Sequence, residues 1–190
     1  EYRVLGWPSA GPRLRLDHRE FAYAGKFVMS TTGKAVAYEG DPPSTGVEEY
    51  ADVVGAASFD EDRTDSGTCC LRYVTVRADR RGEGVGPRLC AHAADAAERR
   101  GYDRVRIAVN NPFSYHALYK AGFGFTGRET GLAELVLERP GPDGRYRDGL
   151  DVFEGRDLSD AERRFLGDKR QSGAPPRLDG GSGATSDTGD

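Results

Sequence analysis

The feature that most constrains the fold is a strand, a glycine-rich loop and a helix in direct succession between residues 68 and 100. Residues 68–76 are rich in β-branched and apolar residues, which predicts a strand. Arg81–Gly86 then carries glycine at every second position, and a helical pattern of about residues 84–100 follows at once and ends at Gly101. The apolar stripe of that helix consists of Val85, Leu89, Ala93 and Ala96. A strand that leads through a tight loop into an amphipathic helix predicts an α/β domain, in which the helix packs on a sheet.

The loop itself has the chemistry of a phosphate site. Glycines let a backbone approach a ligand closely and expose successive N–H groups. The helix that follows adds unpaired donors and the positive end of its dipole, a combination that suits a pyrophosphate. Arg80 and Arg81 add side-chain charge, and Pro87 falls in the first helical turn, where its missing N–H costs nothing. The alternative is a loop whose glycines serve turn geometry alone.

Two better-known phosphate motifs do not fit this loop. A dinucleotide site needs G-x-G-x-x-G directly after a first strand, whereas this chain has G-x-G-x-G five residues past a strand that follows several others. A P-loop needs Gly-Lys-Ser/Thr at its end, and no such tripeptide follows here.

Periodicity and turn residues predict the other elements. Asp17 and Glu20 have capping-box spacing, and the apolar residues after them predict a helix over 18–31. Ser159 and Glu162 form a second capping box, which predicts a short helix to about Leu166 that docks on the domain rather than contacting a partner. Strands are predicted at 2–5, 13–16, 34–39, 52–59, 104–109 and 134–138, and a further short helix at 114–121.

Charge and composition limit the classes of partner. A net charge of −4 disfavours a broad surface for nucleic acid or anionic lipid, and no apolar run is long enough to span a bilayer. The three cysteines show neither a disulfide framework nor a metal-ligand spacing, so we expect a reduced, cytoplasmic protein without a metal. The last 20 residues have almost no apolar side chains, and we expect a disordered tail over 169–190. The sequence leaves open whether the chain forms a homodimer.

Two segments together resemble the GNAT superfamily of N-acetyltransferases. Arg81–Gly86, with Val76 at the end of the preceding strand, resembles the family signature (Q/R)-x-x-G-x-(G/A). Asn111–Phe123 resembles the family segment N-x-x-(A/S)-x-x-x-Y-x-x-x-G-F, in which Asn111, Ser114, Gly122 and Phe123 register without gaps. The family tyrosine, often the acid that protonates the departing thiolate, is replaced by Leu118.

The resemblance implies coenzyme A as the ligand of the glycine loop. It implies that the backbone of residues 74–76 holds the pantetheine arm, and that the loop amides hold the pyrophosphate. The residues that it implies for cofactor binding are Val74, Thr75, Val76, Arg81, Gly82, Glu83, Gly84, Val85, Gly86 and Asn111.

The sequence leaves open which residue protonates the departing thiolate and which residue takes the proton from the amine. Tyr119 comes one residue after the family position, which rotates it about 100° around a helix, and Tyr115 lies one turn before Leu118. Each of these tyrosines is a candidate acid, and each has packing as the alternative. The candidate bases are four carboxylates and one histidine: Glu48, Glu49, Asp60, Glu61 and His116. For each of the five, a surface role is the simpler explanation; His18 and His92 are interpreted as structural.

The resemblance also implies the fold and the activity. We expect a mixed, mostly antiparallel sheet flanked by helices and splayed between the strands at 68–76 and 104–109. The acyltransferase domain would span 1–139, with 52–139 as its strongest match, followed by an extension over 140–168. The implied activity is transfer of an acetyl group from acetyl-CoA to an unidentified amine. The alternative is a module of the same fold that binds coenzyme A without catalysis.

Overall fold

The computed structural model of the chain describes residues 1–41 and 52–178. Within these ranges seven strands form one sheet, with four α-helices around it. The strands are β1 (Tyr2–Gly6), β2 (Gly33–Tyr38), β3 (Val53–Glu61), β4 (Thr68–Val76), β5 (Arg104–Val109), β6 (Gly124–Glu129) and β7 (Leu135–Arg139). The helices are α1 (Val85–Arg99), α2 (Pro112–Lys120), α3 (Tyr146–Glu154) and α4 (Asp160–Ser172).

The sheet has the order β1-β2-β3-β4-β5-β7-β6. Every neighbouring pair is antiparallel except β4 and β5, which are parallel and are joined through α1. The expected mixed and mostly antiparallel sheet is therefore confirmed. The one parallel pair includes β4, the strand that leads into the glycine loop.

Alternating residues of β2 and β3 divide the core between the two faces of this half of the sheet. Ala35 and Ala57 pack with the α1 stripe, in which Val85, Leu89 and Ala93 are all buried. The expected apolar face of α1 is thus confirmed. Val36 and its neighbours on the other face pack against a long segment of residues 7–32, through the buried side chains of Leu14, Phe21 and Phe27.

The prediction of a helix over 18–31 is wrong. The segment forms turns and a three-residue 3-10 helix at Ala24–Lys26, and Tyr23 takes a left-handed backbone conformation with φ 59°. Phe21, Ala24 and Phe27 are buried as their spacing suggests, so the apolar pattern reports burial and not helicity. Residues 13–16 form no strand either; Leu14 is buried, and its N–H donates to Phe27 O at 3.0 Å.

A buried lysine fixes the end of this segment. Lys34 on β2 has no exposed surface, and its Nζ donates to Met29 O at 2.8 Å, to Thr32 O at 2.9 Å and to Thr32 Oγ1 at 2.6 Å. Burial lowers the pKa of Lys34 to about 8. All three donors of the ammonium group therefore hold residues 29–32 against the sheet.

The C-terminal part is more extensive than the sequence suggested. β6 and α3 were not expected, and α4 runs to Ser172 instead of about Leu166. The capping box of Ser159 and Glu162 is present as predicted. After α4, the Arg177 guanidinium lies 5.0 Å from the centre of the Tyr119 ring, and Leu178 N donates to Lys120 O at 2.7 Å. Residues 169–172 of the expected tail thus belong to α4, and Arg177 and Leu178 contact α2; residues 179–190 lie outside the described residues.

Candidate functional site

The candidate site is a cleft where β4 and β5 separate. The two strands pair only from Thr68–Cys70 to Arg104–Arg106, and β4 then continues to Val76 without a partner on that edge. The expected splay is confirmed. It opens a cleft of about 590 Å³, lined by the end of β4, the end of β5, the first turns of α1 and α2, and residues of the 7–32 segment.

The open edge of β4 offers backbone donors to this cleft. Arg77 N–H donates to Val54 O at 2.9 Å, toward β3. Because N–H groups alternate between the two edges of a strand, those of Val76 and Val74 point to the cleft. Val74, Thr75 and Val76, which the resemblance implies for the pantetheine arm, all line the cleft.

The glycine loop lies at the end of the same strand. Gly82 and Gly84 have φ of 86° and 77°, a backbone conformation that glycine adopts without strain. Gly84 is the N-cap of α1 and no side chain caps the helix, so the first N–H groups of α1 have no intrahelical partner. Gly86 lines the cleft, and the nearest atom to a Cβ placed there is Val76 Cγ2 at 3.5 Å. These donors and the helix dipole suit an anion at the mouth of the cleft.

Arginines brace the loop from both sides. Arg81 Nε donates to Val76 O at 3.3 Å and lines the cleft. Arg80 bridges the carboxylates of Glu39 and Glu83, and Arg88 donates to Glu83 O at 2.6 Å. The pairing with Arg80 weakens the repulsion between the Glu83 carboxylate and a phosphate.

The second motif lies at the start of α2. Asn111 is the N-cap of this helix, since its Oδ1 accepts the N–H of Ser114 at 2.9 Å. Asn111 and Ser114 line the cleft, and so does Leu118, the residue at the family's tyrosine position. The cleft-facing side of α2 therefore presents an apolar side chain one turn after Ser114.

Neither candidate tyrosine lies in the cleft. Tyr115 has no exposed surface, and its hydroxyl donates to Tyr146 O at 2.9 Å and lies 3.2 Å from Arg145 O, beneath α3. Tyr119 is buried against Tyr146, with ring centres 4.7 Å apart, and lies under Arg177. Neither of the tyrosines expected to be catalytic therefore lines the cleft, because α3 and the C-terminal segment cover the face of α2 that carries them.

The histidine and carboxylates proposed as bases also lie elsewhere. His116 Nδ1 is 2.7 Å from the Tyr146 hydroxyl, and burial together with Lys169 and Lys120 lowers its pKa to about 4. Asp60 pairs with Arg72 at 2.6 Å, and neither Asp60 nor Glu61 lines the cleft. Glu48 and Glu49 lie outside the described residues.

Sequence reasoning missed several cleft residues. Glu134 lines the cleft from the β6–β7 loop, next to Ala133, whose φ is 60°. Tyr23 and Tyr73 also line it, with ring centres 5.8 Å apart, and Tyr23 is 62% exposed. Cys90 completes one wall from α1, where burial raises the pKa of its thiol to about 12. No local motif marks Glu134 or Tyr23, because the turn at 130–134 and the 7–32 segment bring them to the cleft. Tyr73 and Cys90 lie on β4 and α1, outside the two motifs.

Comparison with known proteins identifies the family. The family model described as the acetyltransferase (GNAT) family matches residues 8–125, more than half of the chain. The chain belongs to the GNAT family. The match spans the 7–32 segment, the cleft strands, the glycine loop and α2, and it ends within β6.

Solved structures of acetyltransferases are similar to this GNAT chain at low identity. An N-acetyltransferase from Staphylococcus aureus Mu50 is 20% identical over 56% of this chain and 66% of its own length, with a TM-score of 0.45. A GCN5-related N-acetyltransferase from Kribbella flavida is 25% identical over 57% of this chain and 67% of its own length, also with a TM-score of 0.45. This chain thus spans about two thirds of those two structures. A comparison with curated proteins gave no match.

In residues 1–41 and 52–178, no group of three or more His, Cys, Asp or Glu side chains could hold a metal ion. None of the helices in these ranges is both long and apolar enough to cross a membrane.

Proposed function

We propose that this GNAT protein transfers an acetyl group from acetyl-CoA to an amine. The observation that carries the proposal is that the glycine loop directly follows the open edge of β4, and that both border the same cleft. The loop amides and the start of α1 would hold the pyrophosphate. The pantetheine arm would then run along residues 74–76 into the gap between β4 and β5.

The reaction requires that the amine and the thioester are aligned and that one hydrogen-bond donor faces the thioester oxygen. Thioester aminolysis proceeds once the amine is neutral and held against the carbonyl carbon. The Val76 N–H would donate to the thioester oxygen, where negative charge develops during attack. With Tyr115 and Tyr119 directed away from the cleft, the thiolate would leave without a proton from either. A thiolate is a tolerable leaving group, since a thiol has a pKa of about 8.5.

Glu134 is our candidate for the group that takes the proton from the amine. It supplies a carboxylate to the cleft from a loop that neither motif contains, and its Oε2 is 3.2 Å from Thr130 Oγ1. A carboxylate in this position can accept the proton directly or through one water. The acceptor would enter beside it, past the rim formed by Tyr23 and Tyr73.

The test is release of free thiol from acetyl-CoA with a panel of amines, comparing wild type with Glu134→Gln. We expect amine-dependent thiol release by wild type. In the variant we expect kcat to fall about 100-fold, with coenzyme A affinity unchanged. Glu129→Gln is the matched control. Glu129 lies on the same β6–β7 hairpin as Glu134, pairs with Arg156 and does not line the cleft. Equal kcat in all three proteins would exclude Glu134 as the base.

A second candidate function is a module that binds coenzyme A without catalysis. Leu118 favours it, because the cleft side of α2 has no phenol where the family commonly has one. Calorimetry separates the two functions. Tight binding of acetyl-CoA without thiol release for any amine would support the module and contradict the enzyme.

A further inference from the structure

A second concave surface lies between the edge strand β1 and helix α1. We call it the β1–α1 groove; it has a volume of about 470 Å³. Its walls include Tyr2 and Trp7 on one side and His92, Ala96, Arg99 and Arg100 on the other. None of its lining residues lines the β4–β5 cleft, so the two concavities are separate. A volume of this size is typical of sites for small molecules.

The groove has an excess of positive charge. No carboxylate in the described part of the chain lies within ion-pair distance of Arg99 or Arg100. The acids of the same helix are engaged elsewhere, since Asp95 and Glu98 both pair with Arg139 of β7. α1 therefore directs its acids toward β7 and leaves two guanidinium groups at the groove, in a chain whose net charge is −4.

One of these cations is held in place by an aromatic ring. The Arg100 guanidinium lies 4.6 Å from the centre of the Trp7 ring, and Trp7 packs edge-on against Phe59 at 5.1 Å. A guanidinium that lies flat on an indole is oriented by the ring and keeps its N–H edge available to a planar or tetrahedral oxyanion.

Beside these guanidinium groups the groove carries aromatic rings, together with Arg3 and Val4 of β1. The rings of Tyr2 and His92 lie 5.9 Å apart. Burial, with a contribution from Arg99, lowers the pKa of His92, which keeps the imidazole neutral at pH 7. The groove thus combines two available guanidinium groups with ring surfaces beside them.

We propose that the β1–α1 groove binds a small polyanion, namely a metabolite that carries phosphate or carboxylate groups. Both kinds of group accept paired hydrogen bonds from guanidinium in the same geometry. A small ligand fits better than a nucleic acid, because the groove is small and the chain has a net charge of −4.

Trp7 supplies a direct signal for the test, since it is the single tryptophan of the chain and contacts Arg100. The full chain is first saturated with coenzyme A, so that the glycine loop is filled. It is then titrated with inorganic pyrophosphate in one experiment and with citrate in another. We expect a saturable change in Trp7 fluorescence with at least one of them; which anion it is separates phosphate from carboxylate ligands. If coenzyme A does not bind, the same titrations on the free protein still test the groove.

The matched variants are Arg99→Gln/Arg100→Gln and Arg163→Gln/Arg164→Gln. Each removes two adjacent positive charges from a helix, but only the first pair lines the groove. By calorimetry we expect the first double variant to bind the anion at least about 10-fold more weakly, and the second to bind as wild type does. Three results would overturn the proposal: no saturable response to either anion, an equal loss of affinity in both variants, or unchanged affinity in the first.

Discussion

At the scale of single residues, the side chains of α2 divide between two environments. Leu118 faces the cleft, whereas Tyr115 and Tyr119 face α3 and the C-terminal segment. A rotation of one residue step in a helix is enough to move a phenol from solvent to core. The hydroxyl of Tyr115 donates to the backbone of α3, and Tyr119 does not line the cleft through which we propose that the thioester runs.

This division gives opposite expectations for two phenylalanine variants. Tyr119→Phe should leave kcat within about 3-fold of wild type, because the phenol does not reach the cleft. Tyr115→Phe should lower the free energy of unfolding by about 1–3 kcal/mol, because a buried backbone carbonyl of α3 loses its donor. Steady-state kinetics and denaturant unfolding measure the two effects. A 100-fold loss of kcat in Tyr119→Phe would show that the family's acid has moved by one residue after all.

At the scale of elements, the glycine loop and α1 form the part of the site with the strongest physical constraint. Gly86 is the position to test, because a Cβ there meets only Val76 Cγ2 at 3.5 Å, while Gly84 has a positive φ and would be strained by a side chain. Gly86→Asp places a carboxylate where we expect the pyrophosphate. Gly86→Asn has nearly the same shape without the charge.

We expect Gly86→Asp to bind coenzyme A at least about 10-fold more weakly than Gly86→Asn, since two like charges then meet near a helix N-terminus. Calorimetry gives both affinities, and circular dichroism checks that both variants are folded. Equal affinities in the two variants would show that no phosphate lies at this loop.

Elements with one dominant cause could be predicted from the sequence. β4 and α1 follow from a run of strand-forming residues and from an apolar stripe, both of which act locally. The 18–31 segment could not be predicted, because Phe21 and Phe27 satisfy burial in a chain of turns as well as in a helix. α3 did carry a signal: Tyr146, Leu150 and Phe153 are buried at helical spacing. The composition change after Pro140 obscured it.

The candidate site was predictable only in part, because some of its residues depend on the fold of distant segments. Residues 74–76 and the glycine loop belong to one continuous motif. Glu134 and Tyr23 are distant from that motif in sequence and meet it only in the folded chain, whereas Tyr73 directly precedes it on β4. Whether a tyrosine of α2 faces the cleft also depends on α3, which no motif marks.

At the scale of the whole molecule, α3 and α4 complete the core around α2. Leu150 and Phe153 of α3 have no exposed surface and Leu166 of α4 is 5% exposed. Phe165 lies 4.7 Å from the ring centre of Phe113 on α2. The extension after Pro140 is therefore part of the folded domain and not an appendage.

We expect a chain that ends after Leu158, and so lacks α4, to melt at least about 5 °C below wild type. Loss of a buried leucine and of aromatic contacts removes about 2–3 kcal/mol, and each kcal/mol is worth about 2–4 °C in a chain of this size. A chain that ends after Leu178 is the control, since it keeps every contact described for the C-terminal segment. Scanning calorimetry gives the melting temperatures, and equal values for both truncations would mean that α4 adds nothing to the core.

The arginines that brace the glycine loop have a consequence for the protein's own chemical durability. Arg outnumbers Lys 23 to 4 in this chain, and Arg80, Arg81 and Arg88 supply the positive charge around the loop. A guanidinium stays protonated at any physiological pH and is no nucleophile toward a thioester, whereas a lysine amine would react slowly with an activated acyl group beside it. Of the four lysines, Lys34 is buried, while Lys26 lies 5.7 Å from the ring centre of the cleft residue Tyr73. Under the proposed function, the cations beside a bound acyl donor would be ones that the donor cannot acylate, and Lys26 would be the first site of self-acylation.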